Sequence, residues 1–468
     1  MQNTVLISIL ALFLCVNFQS LEKVIWDHDE KITEWKAGVA KVNITPEESM
    51  WMAGYASRNR PSEGTLHDIW VKALAFEDAN GKRAVLVTTD IIRFPKEMSD
   101  RIRDRVEDVY GLSRAQIILN SSHTHTGPEV DASRFQFRLD SDQLRRIEHY
   151  AEKLESQIFT AIDEAFQALE PARIYTENGV ARFAVNRRNN QEATLYRQSE
   201  LAGPSDHAVP VIKVEDMSGD LIAIAFGYAC HPTVLNFYKW SGDYPGFAQL
   251  ELEKAYPGVT ALFFQGAGGD QNPLPRRSVE LAEQYGRALA VAVQRVLEED
   301  MRPLSASLST AYSEVNLKFA EPSPTKEDLL AILDESSGYP DWQKHSAQVL
   351  HNQLERGESL ITSYPYPVQV WHLGDQPVVA LGGELLVDYA VQLKQIFGDH
   401  TFVLGYSNDV MGYLPSARVI VEGGYEGSRS PVFTTPWSSD IEVKIIHEVI
   451  KLAEQAGVPL FESSLIGN

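Results

Sequence analysis

Apolar and polar positions alternate along the chain with two different periods, and the switches between them predict its elements. RAVLVTTD (83–90) is an apolar run of strand length, MSDRIRDRVEDVYG (98–111) repeats its apolar residues at helical spacing, and AQIILNSS (115–122) is the next strand. From Asp142 to Glu170 the residues Leu144, Ile147, Leu154, Ile158, Ile162 and Phe166 recur on one face, which predicts a long amphipathic helix. HAVPVIKVED and LIAIAFGYAC read as paired strands about DMSGD, because Ser-Gly between acids is a turn signal. GFAQLELEKAYPG is then a helix closed by Pro-Gly, VTALFFQGAGG a buried strand running into glycines, and SVELAEQYGRALAVAVQRVLEE a helix. This order predicts a layered α/β domain with a mixed sheet.

Residues 301–369 break the rhythm. EPSPTKED, ESSGYPDW and SYPYPV are rich in Pro and Ser, and a helix is predicted over 341–358. The segment reads as an inserted subdomain rather than a linker, since Trp342, Leu350 and Leu354 offer a packing face. Beyond it, VQVWHLGDQPVVALGGE predicts two strands around Gly-Asp, LLVDYAVQLKQIFG a helix, TFVLGYSND a strand and SSDIEVKIIHEVIKLAEQAG a closing helix.

The chain opens MQNTVLISILALFLCVNFQS, apolar from Val5 to Phe18. That length suits the apolar region of a secretory signal better than a spanning helix, which needs roughly 20 residues. No Lys or Arg precedes it, so a membrane anchor is the alternative; Leu14 before Cys15 argues against lipoprotein processing. Residues 1–20 are therefore read as a signal peptide, 21–468 as the mature domain, and the location as secreted or periplasmic. The mature chain keeps only Cys230 and forms no internal disulfide. With 64 acidic against 42 basic residues the net charge is -22, which repels nucleic acid and leaves membrane contact to the surface only.

Three polar clusters follow apolar strands: NSSHTHTGP after AQIIL, HPT after IAFGYAC, and GAGGD after VTALFFQ. Strand ends are where a sheet presents its chemistry. GAGGD has neither the spacing nor the lysine of a phosphate loop. His123-Thr124-His125 can place two imidazoles on one side of an extended segment, and alone the pair is equally a hydrogen-bonding loop. His231 after a second buried strand changes that balance, since zinc asks for three or four N, O or S ligands. Glu384, behind two glycines, is a carboxylate for the set; the alternative is an acidic residue in a first helical turn, favoured there by the helix dipole.

On AGVAKVNITP, WMAGYA, GTLHDIWVKALAF, SSHTHTGP, VNRR, HPTVLN with SGDYPGFAQ, FFQGAGGDQNP, GGE and SNDVMGYLPS, the chain resembles the neutral (non-lysosomal) ceramidases over much of 37–430. The resemblance implies a layered α-β-α domain with a mixed central sheet, and a Zn2+ ion held by His123, His231, Glu384 and Tyr413. It implies that His125 lines the pocket and Arg187 lies on the carbonyl side of the substrate. The implied reaction is cleavage of a carboxylic amide, in N-acylsphingosine or another N-acylated polar substrate, by zinc-bound water. Tyr413 or His125 would hydrogen-bond the tetrahedral oxyanion, and an imidazole would protonate the leaving amine. Asp243 or Asp270 is expected either to orient a zinc histidine through its far nitrogen or to fix a loop.

Departures from the family pattern matter for substrate. Ceramidases carry GDVSPN with a catalytic serine, where this chain reads Gly269-Asp270-Gln271-Asn272-Pro273-Leu274. Asn272 is no nucleophile, but its amide can donate to an oxyanion or bind a hydroxyl. No strand-rich stretch matching the family's immunoglobulin-like domain follows, so the resemblance is to the catalytic domain only. RFQFRLD, NFYKW and GGYEGSRS mix aromatics with polar groups and suit a sugar or small polar amide as well as two alkyl chains. The alternatives are a zinc-dependent esterase or deacetylase on a carbohydrate or polar ester, and a silent binding protein.

Overall fold

A computed structural model describes residues 34–135, 138–428 and 436–461; the expected signal segment lies outside them. Residues 34 onward form one compact unit. The strands of the main sheet are β1 (Trp35–Asn43), β2 (Trp70–Glu77), β3 (Arg83–Thr89), β4 (Ile117–Ser121), β5 (Glu170–Val180), β6 (Ala208–Asp216), β7 (Leu221–Tyr228) and β8 (Thr260–Gln265). Their spatial order is β8-β7-β6-β5-β1-β2-β3-β4, with Arg302–Pro303 pairing beside β5. The outer pairs β7/β8 and β3/β4 are parallel and the inner pairs antiparallel, as a mixed sheet requires.

Helix α1 (Lys96–Tyr110) starts after Pro95, whose ring cannot sit inside it, and ends on Gly111 in the left-handed conformation, whose N–H reaches the Glu107 carbonyl. Helix α2 (Ser141–Gln167) is capped by the Asp140 side chain, which accepts from the Gln143 N–H. It stops three residues short of the expected end because Glu170 already pairs with Ala37 in the sheet. On one face of the sheet, α2 buries Ile147, Leu154 and Ile158 against Val71, Ala73 and Val87. At the β7–β8 end, α3 (Asp243–Ala255) and α4 (Val279–Leu297) cover Phe226, Ala261 and Phe263.

A second sheet lies on the opposite face. Its strands β9 (Leu308–Lys318), β10 (Ser363–Leu373), β11 (Gln376–Leu381) and β13 (Phe402–Leu404) follow one another in that spatial order, with the short β12 (Glu384–Leu385) between β11 and β13 in the chain. Phe76, Leu86, Ile118 and Phe264 pack on its Trp371, Leu373, Val378 and Phe402. Its far face carries α7 (Val387–Phe397) and α8 (Ile441–Ala456) through Leu393, Ile445 and Val449. The expected layers of helix and mixed sheet are present, and this extra sheet stands between the main one and the far helices. Within 301–369, β9 and β10 pair from Leu308↔Leu373 to Lys318↔Ser363, and the residues between them carry α5 (Lys326–Leu333) and α6 (Asp341–Glu355).

What positions the site is the meeting of the two sheet edges. Asn120 of β4 accepts from the Gln265 N–H of β8 at 2.8 Å and donates to the Gly405 carbonyl at 2.8 Å. Strand ends at opposite edges thereby become neighbours.

Below this closure, Asp409 is buried and accepts a hydrogen bond from the Tyr364 hydroxyl. Burial pushes its carboxyl from 3.8 up to about 7. Between those values the folded chain holds a proton that the unfolded chain has released, so the contribution of Asp409 to stability is fully present below pH 3.8 and is lost as pH rises through about 7. Thermal unfolding of Asp409→Asn across pH 4–8 is expected to lose this fall; a slope equal to that of the parent protein would contradict it.

Candidate metal centre

Three imidazoles and one carboxylate converge where the edges meet. His123 follows β4 in a left-handed conformation (φ 63°), a strained geometry for a histidine, held by its N–H to the Ile91 carbonyl at 3.0 Å. Its Nδ1 lies 2.6 Å from the Ile92 carbonyl oxygen. His231, just beyond β7, places Nδ1 2.7 Å from the Gly268 carbonyl. A carbonyl can only accept, so in each ring Nδ1 carries the proton and Nε2 presents a lone pair. Both lone pairs face the same atom: Glu384 Oε2 lies 3.3 Å from His123 Nε2 and 3.2 Å from His231 Nε2. Burial first, and then the Arg187 charge, push the His231 imidazole down to about 4, so it is neutral at physiological pH.

His125 joins this group. Ligand atoms of His123, His125 and His231 all lie within 4.8 Å of one another. Both His125 nitrogens, His231 Nε2 and Glu384 Oε2 are buried without a hydrogen-bond partner. Burial, followed by repulsion from His123 and His231, holds the His125 imidazole well below its ordinary pKa. Converging lone pairs with no proton between them are stable around a cation, so the donor set fits a metal ion. Glycines make the approach feasible. A Cβ on Gly54 would stand 2.6 Å from the His125 ring, and one on Gly383 (φ 72°) would stand 2.0 Å from Leu414.

Tyr413 begins β14 (Tyr413–Leu414), which pairs in parallel with β12 in the register Glu384↔Tyr413, so the two proposed ligands are neighbours across a bridge. Its ring stacks on His231 with centroids 6.4 Å apart, and its hydroxyl oxygen accepts from Arg187 Nη2 at 3.0 Å. Arg187 also donates to Glu426 at 2.8 Å and to Asn272 Oδ1 at 3.4 Å. Burial opposes the Arg187 charge, but the Tyr413 oxygen and Glu426 outweigh it and hold the guanidinium well above its ordinary pKa. Asn272 Oδ1 additionally accepts from the Thr233 hydroxyl at 3.4 Å, which leaves its amide N–H2 as an available donor.

Neither aspartate touches an imidazole. Asp243 accepts from the N–H groups of Leu235 at 2.8 Å and Tyr244 at 2.7 Å, and Asp270 from Val387 N at 2.9 Å and Asn186 Nδ2 at 3.1 Å. Of the two roles open to them the aspartates take the second and fix loops, while the carbonyls of Ile92 and Gly268 orient the histidines. Asp270 does this usefully: it ties the residues after Glu384 to the strand before Arg187.

Two further residues take part without having been singled out from the sequence. Tyr406 (φ 51°) lies with its ring 4.5 Å from that of His123 and its hydroxyl 3.4 Å from His231 Nδ1. Glu426 bridges Arg187 and Arg188, the latter at 2.6 Å. Nothing in FVLGYSND or GGYEGSRS distinguishes them from packing or surface residues.

With this geometry in view, the sequence profile of the family described as "Neutral/alkaline non-lysosomal ceramidase, N-terminal" matches residues 35–275. Neutral ceramidase B of Dictyostelium discoideum is 27% identical over 246 residues, which are 48% of this chain and 33% of that protein. Neutral ceramidase A of the same organism is 26% identical over 298 residues, 58% of this chain and 40% of that protein. The match thus spans well under half the length of these relatives. Among solved structures, a ceramidase complexed with C2 superimposes with a TM-score of 0.71 at 18% identity, and the neutral ceramidase of Pseudomonas aeruginosa with 0.71 at 19%. Each superposition covers 92% of this chain and 76% of the other, and establishes a common fold.

Proposed function

The chain belongs to the neutral/alkaline non-lysosomal ceramidase family, and from that premise we propose that it is a zinc-dependent amidohydrolase, cleaving the carboxylic amide of an N-acylated substrate. The observation that carries the reading is the meeting of two imidazole lone pairs on one oxygen of Glu384. A zinc ion held by His123, His231 and Glu384, with Tyr413 completing the set, would acidify water and polarise a carbonyl oxygen.

The chain's own groups supply the remainder. Arg187 donates to the Tyr413 oxygen, so the Tyr413 hydroxyl proton is free to point at the oxyanion that forms as the amide carbonyl becomes tetrahedral. Asn272 is the second donor for that region. His125 starts neutral, so it can accept a proton from the attacking water and pass it to the leaving nitrogen, which amide cleavage needs more than ester cleavage does. N-acylsphingosine is the first substrate to test, because the relatives are neutral ceramidases. The reading includes export before catalysis, on the strength of the apolar Val5–Phe18 segment.

The test uses chelator-treated protein, with and without added zinc, on a fluorescent short-chain ceramide, N-acetylated sugars and acyl esters. Amide turnover lost on chelation and restored by zinc is expected. Metal bound with no substrate cleaved would overturn the reading, and cleavage of esters alone would replace it with the esterase.

A further inference from the structure

His125 is held differently from the other two imidazoles. His123 and His231 are buried, and each commits Nδ1 to a backbone carbonyl. His125 is half-buried as a residue, with both ring nitrogens covered and neither meeting a partner among the described residues. A group that takes a proton from one atom and gives it to another needs a nitrogen free to do so, and the angle of its ring must then come from packing. The rings of His123 and His231 stand 5.0 and 5.7 Å from it between centroids. That of Tyr55, in the WMAGYA segment, is nearer at 4.8 Å, with the two planes 57° apart.

Tyr55 is itself fixed. Its hydroxyl donates to the Leu235 carbonyl at 2.9 Å and accepts from Arg277 Nη1 at 3.0 Å, and the same Nη1 donates to the Thr233 carbonyl at 3.2 Å. Both carbonyls belong to the loop that follows His231. Arg58, 2% exposed and without an ion pair among the described residues, fixes the backbone on either side: it donates to the carbonyls of Ala53 at 3.1 Å and His125 at 2.7 Å. The guanidinium carbons of Arg58 and Arg277 stand 5.3 and 5.5 Å from the centre of the Tyr55 ring, within the range at which a cation attracts an aromatic face. The ring of Tyr55 therefore cannot swing away from His125 without giving up its hydrogen bonds to the Leu235 carbonyl and to Arg277.

We propose that Tyr55 is a positioning residue, which sets the His125 imidazole at the angle from which it passes a proton to the leaving nitrogen. The inference rests on the amidohydrolase reading for the step that His125 performs, whereas the packing of Tyr55 on His125 involves no substrate. In that step the attacking water gives a proton to His125 as its oxygen bonds to the carbonyl carbon, and the carbon–nitrogen bond breaks as His125 returns the proton to the departing amine. A phenolate leaves without a proton, so a misplaced His125 harms the cleavage of an amide more than that of an aryl ester. A displacement of about 1 Å is enough to cost roughly 10²-fold.

The test compares the parent protein with Tyr55→Leu and Tyr55→Phe, each zinc-loaded, with metal content and circular dichroism recorded on the same preparations. N-hexanoylbenzylamine and p-nitrophenyl hexanoate share an acyl group and differ in whether the leaving group needs a proton. Tyr55→Leu is expected to lower kcat for the amide about 10²-fold and to change the ester little. Tyr55→Phe, which keeps the ring, should recover most of the amide rate. NMR of protein carrying isotope-labelled histidine, with His125 assigned from His125→Gln, reads the imidazole without any substrate. One set of His125 ring signals is expected in the parent and in Tyr55→Phe, and several sets or a broadened one in Tyr55→Leu. Should the leucine variant fold poorly, Tyr55→Met fills more of the same space and takes its place. Equal falls for the two substrates, or a single sharp set of His125 signals without the aromatic ring, would overturn the proposal. A parent protein that cuts neither substrate would remove the amidohydrolase reading, and the His125 signals alone would then decide whether Tyr55 fixes the imidazole.

Discussion

His231→Ala is expected to abolish metal binding and hydrolysis together. The imidazole is wholly buried, its Nδ1 is committed to the Gly268 carbonyl, and its Nε2 lies 3.2 Å from Glu384 Oε2. Removing it takes away one of the two lone pairs that meet on that oxygen, and no neighbouring side chain replaces it. Changes to groups that merely orient a ligand cost about 10–100-fold in affinity or activity, so loss of a ligand should exceed the upper figure. Metal content, circular dichroism and turnover would be measured on the same preparation. Retained metal at one ion per chain would show that the lone pairs of His123, His125 and Glu384 suffice and that His231 is not a ligand. Lost metal with full turnover would sink the hydrolytic reading of the centre altogether.

The second large effect separates Arg187 from the carboxylate that holds it. Arg187→Met should lower kcat/KM by roughly 10²–10³, the range for loss of an oxyanion-stabilising donor, because Tyr413 loses the bond that orients its hydroxyl. Stability should suffer less, since Glu426 keeps Arg188 at 2.6 Å. Glu426→Ala should behave differently. It leaves two largely buried guanidiniums facing each other without their shared carboxylate, and breaking such a buried pair costs on the order of 3–5 kcal/mol. Chemical denaturation together with steady-state kinetics on both variants checks the contrast. Parent-like activity in Arg187→Met would remove Arg187 from the reaction, and parent-like stability in Glu426→Ala would show that water satisfies the two arginines.

Much of this protein was legible in its sequence. The predicted elements between Arg83 and Leu297 are present within a few residues, because strand and helix periods depend on neighbours close in the chain. His123 and His231 were legible for a related reason: each directly follows an apolar strand, and strand ends at a sheet edge are where polar groups cluster. Glu384 was marked by the glycines before it, and Gly383 does take the left-handed backbone that no other residue adopts easily.

What only the tertiary structure decided lies in contacts between distant residues. The closure of the sheet through Asn120 and Gln265, 145 positions apart, brings the three imidazoles together, and no local pattern announces it. The groups that orient His123 and His231 are backbone carbonyls of Ile92 and Gly268, while the aspartates take the other role open to them and fix loops; a carbonyl is present at every residue and leaves no mark in sequence. Glu426 and Tyr406 acquire their roles from loops folded onto the site over long sequence separations. Periodicity records which face of an element is buried, whereas pairing between side chains depends on which elements are laid side by side.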